Sequence, residues 1–167
     1  MKWLAPILVL SAAAAVFGAA LAVVAEFTAP VIESNRAAAK NKETQELLQL
    51  VQKRIAESLA SDEPIQSCKF GGAVETQAVV GYGGEMELIV AWFDRELIGA
   101  RVAAHQETPG FADVLDSADW LGRFGEEPLD EIDTVSRATI TTRAVLEAIK
   151  KSAQLREAAF KACSNSS

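Results

Sequence analysis

Ten residues near the C-terminus, Asp133-Thr134-Val135-Ser136-Arg137-Ala138-Thr139-Ile140-Thr141-Thr142, gather five hydroxyl groups just ahead of a stretch of helix formers. The segment Thr142 to Lys151 spaces its apolar residues three and four apart and closes on two lysines, so the spacing predicts a helix starting near Thr141. Thr139 then stands at or just before a helix N-terminus, where unpaired backbone N–H groups and the positive end of the helix dipole favour an anionic phosphate. Arg137 and Arg143 add charge of the right sign. A plain threonine-rich helix cap reads equally well from these residues, because Ser and Thr are favoured there for their own hydrogen bonds.

A second cluster, His105-Gln106-Glu107-Thr108-Pro109-Gly110-Phe111, precedes the first by about 30 residues. Proline presets φ and glycine permits positive φ, so Pro109-Gly110 predicts a tight type II turn. The turn is either purely structural or a rigid wall beside a ligand. His105 is the chain's one histidine. A histidine-based zinc site is therefore excluded in practice, a chymotrypsin-like triad lacks a serine partner, and a hydrogen-bonded structural role is the simpler reading. Two cysteines, Cys68 and Cys163, cannot supply the four thiolates of an ordinary iron–sulfur cluster, and no haem-attachment motif is present. In an oxidising compartment the two could pair as a disulfide if the fold brings them together.

Together the two clusters resemble the FMN-binding domain of the G subunit of Rnf-type ion-translocating electron-transport complexes, and of the related C subunit of the sodium-pumping NADH:quinone reductase. The hydroxyl run is similar to the Asp-x-x-Ser-Gly-Ala-Thr signature, and the histidine loop to His-x-Glu-Thr-Pro-Gly-Leu, in the order that family uses. Tyr82-Gly83-Gly84, Asp119-Trp120, Phe124 and, nearer the N-terminus, Thr28-Ala29-Pro30-Val31-Ile32 with Asn35 follow the same pattern. The likeness covers roughly Val80 to Ser152, with one departure: Arg137 stands where the family has glycine. The resemblance implies FMN linked through its phosphate to Thr139, with Glu107, Thr108, Ser136, Ala138, Thr141 and Thr142 around it. Ser136, Thr141 and Thr142 would cap the helix or hydrogen-bond the phosphate. If the family glycine serves only to let the backbone pass, Arg137→Gly is expected to leave loading equal or improved. Trp120 and Phe124 are read either as a shield over the flavin ring or as core residues.

The resemblance further implies an electron-relaying subunit beside other redox and membrane subunits, a separate flavin transferase acting on Thr139, and a bacterial inner-membrane location with the flavin domain on the periplasmic side. Two alternatives belong to other classes. One is a membrane-anchored assembly or scaffold subunit without flavin, and the other a secreted FMN-binding reductase released by signal cleavage.

The elements that must position these residues are legible in the patterning. Trp3 to Ala25 carries no charge, enough at the helical rise of about 1.5 Å to cross a hydrocarbon core of about 30 Å, although a signal peptide is the rival reading. Ala37 to Ser61 places Leu47, Leu48, Val51, Ile55 and Leu59 at amphipathic spacing. Gln77 to Tyr82, Met86 to Phe93 and Leu97 to Ala104, separated by Gly83-Gly84 and Asp94-Arg95, predict an antiparallel meander. Gly110 to Asp133 reads as loop and short helix, with Asp113, Asp116, Asp119, Glu126, Glu127, Asp130 and Glu131 as a solvated face. The last helix is expected to reach Ala162, before a disordered tail. The class is α+β: a transmembrane anchor over 1–26, a stalk over 27–66, an FMN-binding domain over 67–155 and a helix end with tail over 156–167. A net charge of −7 and a pI near 4.8 argue against a nucleic-acid partner, which requires a basic face.

Overall fold

The computed structural model describes residues 4–60, 71–110 and 113–164. Its order is α1 (Leu4–Ala60), β1 (Gly72–Val80), β2 (Glu85–Phe93), β3 (Glu96–Ala104), two one-turn helices α2 (Asp113–Asp116) and α3 (Ala118–Leu121), and α4 (Thr139–Ser164). Cys68 and Phe111 lie outside the described residues, as do the end of the expected stalk and the tail beyond Ser164. The chain divides into two compact units, 1–38 and 39–167.

The first unit is helical throughout its described residues, and its apolar side chains face outward: Leu10, Phe17, Leu21 and Phe27 are all exposed. It belongs to a helix long and apolar enough to cross a membrane. Pro30 lies inside the helix and removes one backbone donor. Just before it, the Thr28 hydroxyl donates to the carbonyl of Val24 at 2.9 Å.

In the second unit the three strands form one antiparallel sheet in the order β1-β2-β3. The sheet lies between the remainder of α1 and α4. The apolar run of β2 has no single outward face, as expected of a central strand covered on both sides. Met86, Leu88, Val90 and Trp92 point to the larger core, which they build with Val145 and Ile149 of α4 and with Trp120 and Phe124. Ile89 and Ala91 point the other way, against Leu47 and Val51 of α1. The amphipathic spacing of Ala37 to Ser61 thus reports real burial, within a helix that α1 continues without interruption to Ala60.

Ion pairs fasten both helices to the sheet: Lys40 with Glu87, Arg54 with Glu96 at 2.8 Å, and Arg156 with Glu75. The Arg156 guanidinium also lies 5.1 Å from the ring centre of Trp92. β1 and β2 pair from Gly72↔Phe93 to Val80↔Glu85, which leaves Gly81 to Gly84 as the hairpin loop. That loop closes through Gly81 N–H donating to the Gly84 carbonyl at 2.8 Å. All three expected strands are present. β1 begins five residues earlier than expected and ends at Val80, because the glycines take over the turn.

Candidate functional site

The β1–β2 loop, the loop after β3 and the start of α4 converge at one end of the sheet. Between them lies a cavity of about 430 Å³, lined by Tyr82, Glu107, Thr108, Arg137, Ala138, Thr139, Ile140 and Thr141. This volume is within the range of small-molecule sites. Five of the seven expected site residues, Glu107, Thr108, Ala138, Thr139 and Thr141, line this one cavity although they come from segments some 30 residues apart. Ser136 is exposed on the preceding turn and is not among the lining residues. Thr142 is fully buried behind the wall.

α4 begins at Thr139, two residues before the expected start, and the reason defines the site. The Ala138 carbonyl accepts the first helical bond, from Thr142 N–H at 2.9 Å, so Ala138 occupies the capping position. Alanine has no side-chain oxygen, and the first-turn amides of Ile140 and Thr141 receive no cap from it. The threonine hydroxyls are employed elsewhere. Thr142 Oγ1 accepts from Val135 N–H at 3.1 Å and donates to the Ala138 carbonyl at 2.9 Å, locking the turn 135–138 onto the helix. Thr141 Oγ1 accepts from Tyr82 N–H at 3.4 Å, joining the glycine loop to the helix start. Thr139 Oγ1 donates to the Val135 carbonyl at 3.3 Å and remains half-buried in the cavity wall. What results is a helix N-terminus whose own side chains leave it open to an anion.

The opposite wall is fixed by close backbone approach. A Cβ on Gly83 would lie 2.5 Å from the Gln106 carbonyl oxygen and 2.8 Å from Glu107 Cα, so only glycine lets the two loops touch. Gly110 has φ of +84°, as the type II turn required, and its N–H donates to Asp113 at 2.9 Å. His105 Nδ1 accepts from Glu107 N–H at 3.3 Å, a structural role that holds Glu107 in place. The Glu107 side chain packs beneath Gly81, and its Oε1 is buried without a hydrogen-bond partner. A buried carboxylate oxygen of this kind is costly unless a donor arrives to meet it.

Trp120 and Phe124 are not part of the cavity. Their rings meet edge to face at 5.0 Å inside the core, and Trp120 Nε1 donates to the Asp133 carbonyl at 2.9 Å. That bond anchors the start of the hydroxyl-rich segment, so the tryptophan acts on the site through the backbone. Tyr82 and Ile140, neither expected as site residues, stand exposed in the lining. The signal for Tyr82 was its place in a glycine turn ahead of a strand; Ile140 offered none. Of the acidic face, Glu127 pairs with Arg123 at 2.6 Å and Asp130 with Lys150 at 3.0 Å. The Arg123 hydrogen bond holds the Glu127 carboxyl below the usual carboxylate range. Among the described residues no cluster of three or more metal-ligating side chains occurs. Cys163 is disulfide-bonded; the pairing with Cys68 that the sequence leaves open falls on a residue outside the described ones.

Comparison with known proteins agrees with this geometry. Residues 81–154, which span the whole cavity lining, match the FMN-binding domain family. The G subunit of the ion-translocating oxidoreductase complex of Yersinia pestis is 36% identical over 98 residues, covering 48% of this chain and 47% of the relative. The corresponding G subunit of Vibrio atlanticus is 33% identical over 123 residues, with 59% of each chain covered. The Salmonella typhi protein of the same name is 30% identical over 115 residues, covering 59% and 53%. The chain thus spans about half the length of the curated relatives it matches. Residues 81–154 match the FMN-binding domain family, and the chain is similar to the G subunits of ion-translocating oxidoreductase complexes, the kind of protein its motifs resemble.

Proposed function

We propose that this chain is a membrane-anchored flavoprotein subunit that relays electrons within an Rnf-type ion-translocating complex, with FMN joined by a phosphoester to Thr139. The observation that carries the reading is the uncapped start of α4, with the Thr139 hydroxyl in the wall of a cavity whose other side presents an unpartnered Glu107 oxygen. Bound FMN would supply one- and two-electron redox chemistry. The chain's own residues would do the rest. Amides of the first turn of α4 would meet the phosphoryl oxygens. Glu107 Oε1 would accept from a hydroxyl or ring N–H of the flavin, and Thr108 and Tyr82 would bound it. Thr139 Oγ1 would become the ester oxygen. A separate flavin transferase would join it to the phosphorus of a flavin phosphate donor, the Thr139 proton being lost and the donor's leaving oxygen group departing from that phosphorus, so that the net change is one FMN less one water. Tethering suits a relay, because the carrier cannot diffuse away from donor and acceptor.

The outward-facing apolar side chains near the start of α1 support a membrane anchor over 1–26; the segment proposed as a stalk over 27–66 also seats Leu47 and Val51 on the sheet. The disulfide at Cys163 fits an oxidising compartment, hence the periplasmic side of a bacterial inner membrane. Other subunits of the complex are the expected partners.

The test is in-gel fluorescence after denaturation. Wild type and Thr141→Val should retain flavin fluorescence, and Thr139→Val should lose it while remaining folded. A fluorescent Thr139→Val protein would reject the linkage. A colourless wild-type protein purified with its complex would favour the scaffold reading instead.

A further inference from the structure

We propose that Arg137 is the phosphate-binding cation of this site, a role that rests on the FMN reading. Among the described residues only Asp94 and Arg137 combine a side chain with positive φ, at 52° and 74°. Asp94 sits in the tight β2–β3 turn, and aspartate is one of the few residues that visit this region routinely. Arginine has no such excuse, and glycine would take the conformation without strain. Non-glycine residues held there cluster at ligand sites.

Charge supplies the independent reason. The cavity lining contains one acidic side chain, Glu107, and one basic side chain, Arg137. A phosphate entering beside a carboxylate, in a chain of net charge −7, gathers like charges that the half-charge of a helix N-terminus cannot offset. Arg137 restores the balance. Its planar fork suits two oxygens of one phosphoryl group, and it stands two residues before Thr139, whose oxygen would carry that phosphorus. Read from sequence alone, Arg137 is a strained substitute for glycine whose removal should not diminish loading. Its place in the cavity wall with Glu107 gives it a ligand role and reverses that expectation for reversible binding.

The experiment titrates the full-length chain, produced without flavin transferase so that nothing is covalently attached, with FMN and separately with riboflavin. Wild type should bind FMN more tightly than riboflavin. Arg137→Ala and Arg137→Gly should weaken FMN by about tenfold or more, the worth of a charge-assisted pair, and leave riboflavin within about twofold. Arg137→Lys should fall between, and Arg137→Gly should melt above wild type, which separates charge from folding. FMN affinity unchanged in Arg137→Ala, or both flavins weakened together, would overturn the role of Arg137 and leave the FMN reading standing. Wild type that binds neither flavin would overturn both.

Discussion

Replacing Thr142 by valine isolates the hydroxyl latch that shapes the site. The side chain is fully buried, and its Oγ1 joins Val135 N–H at 3.1 Å to the Ala138 carbonyl at 2.9 Å. Valine matches threonine in volume, so no cavity opens. The Ala138 carbonyl is not stranded, because it still accepts from Thr142 N–H. Val135 N–H, part-buried, is stranded, and the cost of about 1–3 kcal/mol for a fully buried donor without a partner is the upper bound on its loss. The methyl that replaces the hydroxyl returns less than about 1 kcal/mol. The net loss of about 1–2 kcal/mol should lower the melting temperature by roughly 3–8 °C for a unit of this size.

Thr142→Ser is the control. It keeps both hydrogen bonds and loses one buried methyl, again about 1 kcal/mol. Global stability therefore falls similarly in both variants, while the turn 135–138 loosens only in Thr142→Val. Thermal melting, amide exchange at Val135 and extent of flavin loading distinguish them: valine should speed exchange there and reduce loading, and serine should do neither. A valine variant as stable as wild type, or a serine variant with equally reduced loading, would refute the latch.

Gly83→Ala should cost about 1–3 kcal/mol and impair flavin binding, since its Cβ would meet backbone of Gln106 and Glu107 within 2.8 Å. Gly18→Ala, with open space around its Cβ, should leave both melting and flavin content unchanged. The carboxyls of Glu127 and Glu157 are held below their ordinary range by hydrogen bonds from Arg123 and from Arg95. Their contribution is present above the ordinary carboxylate pKa and is lost as pH falls through the lowered folded values, so melting scans should be flat with respect to these pairs from neutrality to mild acid and decline only below that. A periplasm-dependent reporter fused after Ser167 should be active in cells and a cytoplasm-dependent one inactive; the reverse would invert the orientation.

The elements were legible where periodicity and burial agree. The apolar run of β2, the glycines that end β1 and the spacing of α4 all carried their structure locally. So did the pairing of the two loops around Thr139, through motif order. The start of α4 was legible only to within two residues. The spacing of helix formers pointed to a start near Thr141, yet Thr142 uses its hydroxyl to bind the turn behind it and leaves Ala138 as the cap. That is a tertiary contact, invisible to propensity. Trp120 and Phe124 could not be apportioned between flavin and core from sequence because aromatic rings serve both; burial at one edge-to-face contact decides it. The orphaned oxygen of Glu107 and the positive φ of Arg137 likewise arise only when the loops meet.

The central claim is that Thr139 is the covalent anchor, and intact mass of the membrane-purified chain followed by peptide mapping tests it most directly. The expected result is an increment of one FMN less one water, carried on the peptide containing Thr139 and absent from Thr139→Val. An unmodified mass from cells that possess the flavin transferase, or the same increment mapped to Ser136, Thr141 or Thr142, would contradict it.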